Sequence, residues 1–415
     1  MCVASNCSPA PAATIDKRHI SAEIALSIAH DMNSPTSPAS RPRVLSGMRP
    51  TGKLHLGNYM GALANWVKLQ ADYECYFFIA DLHALTTDYA DTSGVLDNIT
   101  EVALDFLGAG LDPDQSVLFL QSKVPQHEQL FLRFSMITPI SWLERVPTYK
   151  EQQENLSTKD LSTYGFLGYP LLQAADILLY QPQFVPVGQD QVVHVELTRE
   201  VARRFNFFYP RRTMHYPVQY ARSRELSARF PAEVAKSIAG QGEGGHFRPI
   251  DDSELFDSNH VLPEPKVLLT PSPKLPGTDG RKMSKSYGNT IQLTDTEAEV
   301  RQKLKTMVTD PARIRRTDPG DPDKCPVGDL HKVFSTPEKL AEVYAGCRTA
   351  GIGCIQCKGW AADSLVQILA PIQERRSRFT AAQAMEIIDA GSVRAERRAA
   401  ETMRQVNEAM QMPVG

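Results

Sequence analysis

The sequence predicts an α/β fold, in which a doubly wound parallel sheet is followed by a helical C-terminal domain. Short apolar runs that are typical of buried strands alternate with segments of helical periodicity. A glycine-containing turn joins the first of these strands to the first helix. From about residue 292 onward, apolar residues recur at helical spacing. The 415 residues are enough for both parts and for a sizeable core.

The first strand, turn and helix are predicted in residues 45–66, LSGMRPTGKLHLGNYMGALANW. Glycines let a backbone approach a phosphate group closely, and the free N–H groups at the start of a helix attract an anion. The segment His55-Leu56-Gly57-Asn58 stands at the mouth of this helix. The stretch therefore predicts a phosphate-binding turn, although an ordinary tight connection between a strand and a helix has a similar composition.

The next predicted elements keep the alternation. Residues 75–81 and 117–120 are typical of buried strands, and residues 97–108 and 128–137 have helical periodicity. Asp81-Leu82-His83 stands where the second strand ends. Open α/β sheets bind their ligands at this edge, so these polar groups are expected to face a binding site.

An apolar helix is predicted over residues 169–180, YPLLQAADILLY. Its polar residues Gln173 and Asp176 are three positions apart, so they share one face of the helix. A carboxylate in so apolar a helix must be paired, protonated or used in binding. A neighbouring arginine in the core is the structural alternative to a binding role. A strand that ends in the polar turn VPVGQDQ follows, and then a helix that carries His194.

Three stretches outside these elements complete the predicted organisation. Residues 1–43 are rich in Ala, Ser and Pro and predict a mobile N-terminal tail rather than a targeting peptide. Residues 206–260 lose periodicity and predict an insertion, to which we assign no chemistry. Residues 44–291 form the predicted α/β domain, and residues 292–415 form the predicted helical domain.

Composition narrows the class of protein. No apolar run approaches the length needed to cross a membrane. Seven cysteines, an odd number, argue against a disulfide scaffold, so we expect a soluble protein of the reducing cytoplasm. A net charge of −3 means that any contact with nucleic acid must come from local basic clusters.

A second motif lies more than two hundred residues after the first one. Arg281-Lys282-Met283-Ser284-Lys285-Ser286 is flanked by Gly280 and Gly288. Together, HLGN and KMSKS resemble the two signature motifs of class I aminoacyl-tRNA synthetases. The stretches GNYMGAL, DLHALT, AADILLY, VPVGQDQ and HVELTRE narrow the resemblance to the bacterial tryptophanyl-tRNA synthetases, over residues 44–412. This resemblance implies a Rossmann-like catalytic domain at 44–291 and a tRNA anticodon-binding domain at 292–415.

The resemblance also implies roles for individual residues. Tryptophan and ATP with Mg²⁺ are the implied substrates, and the product is charged tRNA(Trp). His55, Asn58, Lys282 and Lys285 are the implied catalytic residues. The implied ATP site consists of Arg49, Pro50, Thr51, Gly57, Asn58, Gly188, Gln189, Asp190, Lys282, Met283, Ser284, Lys285 and Ser286. Asp176 is implied to accept the indole N–H, and Tyr169, Gln173, His83 and Gln191 to complete the tryptophan site.

The chemistry of amino-acid activation fits these residue types. A carboxylate attacks the α-phosphorus of ATP and pyrophosphate leaves, so the protein needs to align the reactants and to stabilise negative charge. His55 and Asn58 can donate hydrogen bonds to phosphate oxygens, and the two lysines can neutralise the pyrophosphate. Arg49 and Gln173 depart from the residues that are common in the family. YPLLQA with Asp176 also resembles tyrosyl-tRNA synthetases, so tyrosine is the alternative substrate.

Four cysteines form a separate signal. Cys325, Cys347, Cys354 and Cys357 are separated by twenty-one, six and two residues, and such a group can surround one metal centre. A subset of bacterial tryptophanyl-tRNA synthetases is similar here and carries a four-iron, four-sulfur (4Fe–4S) cluster. Zinc is the alternative metal, and free thiols are the alternative without a metal.

The resemblance further implies a homodimer that binds tRNA through its helical domain. Candidates for the anticodon contact are Arg313, Arg315, Arg316 and Lys358, because arginine can stack on unpaired bases. Two other functions remain open from the residues alone. One is a nucleotidyltransferase of related fold, and the other is a catalytically silent RNA-binding or iron–sulfur sensor protein.

Overall fold

The computed structural model describes residues 41–146, 161–211, 260–270 and 274–413. Residues 1–40 of the predicted tail and residues 212–259 of the predicted insertion lie outside the described residues. By their internal contacts, the described residues from Pro42 onward form one compact unit. The boundary at residue 292 between the two predicted domains therefore stays a prediction.

The sheet has five parallel strands, as expected for an α/β protein. The strands are β1 (Arg43–Met48), β2 (Glu74–Ile79), β3 (Ser116–Leu120), β4 (Phe184–Val187) and β5 (Lys266–Leu269). Their spatial order is β3-β2-β1-β4-β5, so the direction of winding reverses between β1 and β4. Ligands of such sheets bind at the carboxyl ends of the strands on either side of this reversal.

Both faces of the sheet are buried, which explains why the strands are continuous apolar runs. Phe77 and Ile79 of β2 contribute to one hydrophobic cluster, and Tyr76 and Phe78 contribute to a second one. Successive side chains of a strand point to opposite faces, so the two clusters lie on the two sides of the sheet.

The helices of the first half alternate with the strands. The first one, α1, is an α-helix over Leu56–Asn58, a π-helix over Tyr59–Leu63 and an α-helix again over Ala64–Leu69. The others are α2 (Asp81–Asp88), α3 (Val95–Ala109), α4 (Gln126–Ser135), α5 (Ile140–Glu144), α6 (Tyr164–Tyr180) and α7 (Val192–Phe208). The predicted helices and strands are thus confirmed within a few residues. The described residues contain no helix that is long and apolar enough to cross a membrane.

The C-terminal region is helical, as predicted. Its helices are α8 (Glu297–Thr306), α9 (Pro326–Phe334), α10 (Pro337–Arg348), α11 (Cys354–Arg376) and α12 (Ala381–Met410). Helix α12 packs on the edge strand β3, where Ser392 Oγ accepts a hydrogen bond from Leu120 N at 3.2 Å. A Cβ atom on Gly391 would lie 1.8 Å from the carbonyl oxygen of Leu118, so this contact requires glycine. A covered edge cannot pair with another chain.

Helix α7 runs further than the sequence suggested. It ends at Phe208, so the first three residues of the predicted insertion, 206–208, are helical. The physical reason is Asn206, which is buried. Its side chain accepts hydrogen bonds from Val261 N and Leu262 N and donates one to Leu262 O. The amide thereby fixes the returning chain just before β5.

Candidate active site

A cavity of about 1250 Å³ opens at the carboxyl ends of β1 and β4, at the point where the winding reverses. Most of the site residues predicted from the sequence line it. They are Arg49, His55, Gly57, Asn58, His83, Tyr169, Gln173, Asp176, Gly188, Gln189, Asp190, Gln191, Lys282, Met283 and Ser284. The two motifs at opposite ends of the α/β region therefore meet at one cavity.

Four predicted residues, Pro50, Thr51, Lys285 and Ser286, are not part of the cavity wall. Lys285 instead donates a hydrogen bond from Nζ to the carbonyl oxygen of Gly52 at 2.6 Å. This bond ties the KMSKS segment to the turn after β1. The lysine is close to the cavity but is engaged with the backbone.

The start of α1 is built as a capped helix end. Asn58 Oδ1 accepts a hydrogen bond from His55 N at 3.1 Å, which leaves the amide N–H₂ group of Asn58 available as a donor. A Cβ atom on Gly57 would lie 2.9 Å from the His55 ring, so a larger residue would displace the imidazole.

His55 is uncharged at neutral pH. Burial, and then the positive charge of Lys285, lower the pKa of His55 to about 4. Its Nδ1 atom is buried and has no hydrogen-bond partner within the described residues. A neutral imidazole with a free ring nitrogen can exchange one hydrogen bond with a bound ligand.

The KMSKS segment is held in shape by a residue that the sequence analysis missed. Asn289 Oδ1 accepts a hydrogen bond from Ser284 N at 2.8 Å, while Asn289 Nδ2 donates to Asp279 Oδ1 at 2.7 Å and to Lys282 O at 3.2 Å. Asn289 is buried. It stands three residues after the motif, and no pattern in the sequence marked it.

The two glycines that flank this segment both have a positive φ angle. Gly280 has a φ of 83° and Gly288 a φ of 63°. Both angles lie in the left-handed region, which glycine adopts without strain.

Lys285 has an unusual electrostatic environment. Burial lowers the pKa of Lys285 to about 8, the carboxylate of Asp105 counteracts this shift, and the guanidinium of Arg49 adds to it. The ammonium group of Lys285 therefore loses its proton at a lower pH than that of a surface lysine. A bound anion next to it would restore the charge.

Asp176 lies in α6, lines the cavity and is 1% exposed. Its Oδ1 atom accepts hydrogen bonds from His127 Nδ1 at 2.6 Å and Gln121 Nε2 at 2.8 Å. Its Oδ2 atom lies 2.8 Å from His83 Nε2. The core arginine that was the structural alternative is replaced by two histidines and a glutamine.

These contacts keep Asp176 ionised. Burial alone would raise its pKa, but the charges and hydrogen bonds of His127 and His83 outweigh burial and hold the pKa of Asp176 at about 2. Behind His127, its Nε2 atom lies 2.9 Å from the hydroxyl of Tyr180, and both residues are fully buried. Gln121, His127 and Tyr180 had no predicted role, because no motif or spacing in the sequence places them against Asp176.

Other aromatic and polar side chains also line the cavity. The rings of Tyr169 and His194 lie 5.6 Å apart, and Gln173 and Gln191 line the same cavity. Burial, and then the charge of His83, lower the pKa of His194 to about 4. His194 is therefore a neutral polar group in the wall, a position that the sequence analysis did not assign to it.

Comparison with known proteins identifies the family. The profile described as tRNA synthetases class I (W and Y) matches residues 37–226 and 245–370. The chain belongs to this family.

The match to curated relatives in this synthetase family spans nearly the full length of each relative. The tryptophan–tRNA ligase of Ralstonia nicotianae is 50% identical over 391 residues, which cover 89% of this chain and 98% of the relative. The tryptophan–tRNA ligase of Thermotoga maritima is 46% identical over 374 residues, which cover 89% and 99%.

Solved structures agree with the predicted fold. The tryptophanyl-tRNA synthetase of Campylobacter jejuni, complexed with ADP and tryptophan, has a TM-score of 0.70 and 28% sequence identity, and covers 89% of this chain and 100% of its own. A tyrosyl-tRNA synthetase from Archaeoglobus fulgidus, complexed with L-tyrosine, has a TM-score of 0.53 at 20% identity, covers 82% of this chain and 91% of its own, and shows only the shared fold.

The four cysteines of this synthetase lie at three helix ends. Cys325 precedes α9, Cys347 is in the last turn of α10, and Cys354 and Cys357 are in the first turn of α11. Burial, and then the neighbouring Cys325, Cys347 and Cys354 thiols, raise the pKa of Cys357 to about 12. Nevertheless, no three His, Cys, Asp or Glu residues in the described part of the chain are placed to hold a metal ion. The metal centre therefore stays a prediction.

Proposed function

We propose that this synthetase charges tRNA(Trp) with tryptophan. In the first step, a carboxylate oxygen of tryptophan attacks the α-phosphorus of ATP. The bond from that phosphorus to the bridging oxygen breaks, and pyrophosphate leaves with the electron pair. In the second step, a ribose hydroxyl of the tRNA attacks the carbonyl carbon of the adenylate, the bond from that carbon to the phosphate oxygen breaks, and AMP leaves with the electron pair while the hydroxyl proton is released to solvent. The names of the relatives and the ionised Asp176 support this assignment.

The ATP side of the proposal uses the helix mouth and the KMSKS segment. His55 and the amide of Asn58 stabilise charge on the α-phosphate, and Lys282 contacts the departing pyrophosphate. Lys285 exchanges its hydrogen bond to Gly52 O for a contact with the pyrophosphate, because an ammonium group makes a stronger hydrogen bond to a charged phosphate than to a neutral carbonyl. At 4 Å and an effective dielectric constant near 20, each such charge contact is worth about 4 kcal/mol before desolvation. Mg²⁺ enters with ATP as part of the substrate.

The amino-acid side depends on Asp176. The buried, ionised carboxylate of Asp176 accepts the indole N–H, and a site built for this bond rejects phenylalanine because the buried charge would lose its partner. Tyr169, Gln173, His83 and Gln191 surround the rest of the substrate. His127 and Gln121 hold the carboxylate in orientation, which is a role that only the structure suggested.

The observation that carries the proposal is the presence of HLGN, KMSKS and the ionised Asp176 around one cavity. Amino-acid-dependent exchange of pyrophosphate into ATP tests it. Exchange should require tryptophan and should proceed far more slowly with tyrosine. Faster exchange with tyrosine would make tyrosine the substrate instead, and no exchange with either amino acid would contradict the proposal.

The tRNA contact is proposed at a second cavity of about 600 Å³, which is lined by Arg313, Arg315, Arg316 and the start of α11. Arg313 is buried and donates from Nη2 to Ile352 O at 2.7 Å and to Arg316 O at 3.0 Å. It therefore shapes the backbone, which leaves Arg315 and Arg316 to meet the bases. Replacing these two by Gln should weaken tRNA binding without changing pyrophosphate exchange.

A 4Fe–4S cluster on Cys325, Cys347, Cys354 and Cys357 is the remaining part of the proposal. Four cysteines are the ligand set that such clusters use, and the charges of Cys325, Cys347 and Cys354 contribute to the raised pKa of Cys357, which indicates that the four residues are neighbours. Arg313 Nη1, 3.9 Å from Cys347 Sγ, adds positive charge. Bound there, the cluster would join the ends of α9, α10 and α11.

Iron and acid-labile sulfide analysis tests the cluster. Brown protein with broad absorbance at about 400 nm, as expected for iron–sulfur centres, would support the cluster. Colourless protein with stoichiometric zinc would contradict the cluster and assign the site to zinc, which binds four thiolates at about 2.3 Å.

A second copy of the chain is the remaining proposed partner. Leu132, Met136, Ile140 and Tyr164 are more than half exposed although they are large and apolar. Leu132 lies on α4, Met136 directly follows it, and Ile140 and Tyr164 begin α5 and α6; α4 and α5 both pack against α6. Exposed apolar side chains on adjoining elements are typical of an interface. A monomeric mass in light scattering would contradict this part.

A further inference from the structure

The C-terminal end of α11 lies against the segments that carry both signature motifs. Helix α11 begins at Cys354 and ends at Arg376, so it spans about 35 Å at 1.5 Å per residue. A Cβ atom on Gly108 of α3 would lie 2.9 Å from Arg376 Cβ and 3.0 Å from Ile372 O. The glycine thus allows the end of α11 to approach α3 closely.

The first contact joins Arg376 to the HLGN motif through a buried carboxylate. Arg376 Nη1 donates to Asp105 Oδ1 at 2.5 Å, and Asp105 is fully buried. Asp105 Oδ2 accepts a hydrogen bond from Leu54 N at 3.1 Å. Leu54 is the residue before His55, so Arg376 holds the backbone at the helix mouth through one intermediary.

The second contact joins Gln373 to the segment after KMSKS. Gln373 Nε2 donates to Leu293 O and to Asp295 O, both at 2.9 Å. Leu293 N in turn donates to Leu54 O at 2.9 Å. Both backbone polar groups of Leu54 are therefore fixed by groups that the last turn of α11 holds.

Two further bonds extend this arrangement to the motifs themselves. Leu56 N donates to Ile291 O at 2.9 Å, which pairs the HLGN segment with the strand-like stretch after KMSKS. Lys285 Nζ donates to Gly52 O at 2.6 Å, two residues before Leu54. A shift at Leu54 would therefore move His55 and the backbone oxygen that Lys285 contacts.

A buried charge pair is not needed for stability alone. Replacing such a pair by apolar residues of similar volume is often neutral or stabilising, whereas removing one partner is costly. The Asp105–Arg376 pair stands apart in that Asp105 uses its second oxygen on the amide of Leu54. Because Leu54 directly precedes the HLGN motif, this bond indicates that the charge pair orients the ATP site.

We propose that Arg376 and Gln373 are positioning residues of the ATP site, and that they act through Asp105 and Leu293 on the backbone of Leu54. The proposal rests on the proposed function for its kinetic part only. Neither residue lines the cavity, so neither is expected to touch a substrate.

Two variants and one matched control test this role. Arg376→Met removes the guanidinium and keeps a long side chain, and Gln373→Leu removes the amide donor without leaving a buried charge unpaired. Arg378→Met removes an arginine two residues further on, whose side chain is 63% exposed and pairs with Glu374. If Arg376→Met fails to fold, Gln373→Leu and the conservative Arg376→Lys carry the test.

The kinetic result separates positioning from stability. A displacement of about 1 Å at a catalytic group can cost 100-fold, so kcat/KM for ATP in pyrophosphate exchange should fall by about 10- to 100-fold in Arg376→Met and Gln373→Leu. KM for tryptophan should stay within about threefold, because Asp176 is on another element. The Arg378→Met control should match the wild type in both constants.

Hydrogen exchange gives a readout that needs no substrate. The amides of Leu54 and Leu293 should exchange faster in the two variants than in wild type and control. Loss of thermal stability with unchanged kcat/KM for ATP and unchanged amide exchange would overturn the proposal, as would an equal rise of both KM values. If the wild type exchanges no pyrophosphate, the proposed function fails, and the amide exchange alone decides the positioning role.

Discussion

Replacing Asp176 by Asn tests how the pocket selects its amino acid. The change keeps the shape of the side chain and removes the charge that His127, Gln121 and His83 surround. A hydrogen bond to a charged acceptor contributes about 1.5–3 kcal/mol, and every 1.4 kcal/mol is tenfold. We therefore expect kcat/KM for tryptophan in pyrophosphate exchange to fall by about 10- to 100-fold.

The specificity of the effect is measured with an analogue that has sulfur in place of the indole N–H. The wild type should prefer tryptophan to this analogue by about 10- to 100-fold, and Asp176→Asn should lose most of that preference. Asp389→Asn, a change at an exposed aspartate that pairs with Lys123, is the control and should behave as the wild type. A variant that binds both amino acids weakly but keeps the full preference would refute the role of Asp176.

Three further predictions concern the charge of Lys285, the packing of α12 and the cysteines. Lys285 faces Asp105, Arg49 and His55 and must be protonated to hold pyrophosphate, so kcat/KM for ATP should fall as the pH rises through about 8. Because the Asp105 carboxylate raises the pKa of Lys285, Asp105→Asn should move this fall to lower pH. A profile that stays flat up to pH 10 would contradict the prediction. Gly391→Ala should lower the free energy of unfolding by about 1–3 kcal/mol in urea titrations, because its methyl group overlaps a carbonyl of β3, whereas Ala390→Ser should have little effect. Cys357→Ser should remove the absorbance at about 400 nm, because it removes one ligand of the proposed cluster, while Cys75→Ser should keep it.

The fold could be predicted because its signals are local. Each strand is a short apolar run, and a sheet with both faces buried requires such runs without polar alternation. The meeting of His55 and Lys282 at one cavity followed from two motifs, each of which is contiguous in the sequence. The C-terminal helices likewise have a continuous period.

The partners of the site residues could not be predicted, because they depend on packing between distant elements. His127 is 49 residues from Asp176, and Arg376 is 271 residues from Asp105. Neither pairing has a sequence spacing of its own. Lys285 shows the same limit: its place in the motif was evident, but its hydrogen bond to Gly52 depends on how the loop folds back.

The central claim is that one cavity brings an ionised carboxylate and a phosphate-binding helix mouth to the same amino acid and ATP. Amino-acid-dependent exchange between ATP and pyrophosphate, run with tryptophan, tyrosine and phenylalanine side by side, measures it most directly. The account predicts rapid exchange with tryptophan, much slower exchange with tyrosine and little with phenylalanine. Equal exchange with all three, or none with any, would contradict it.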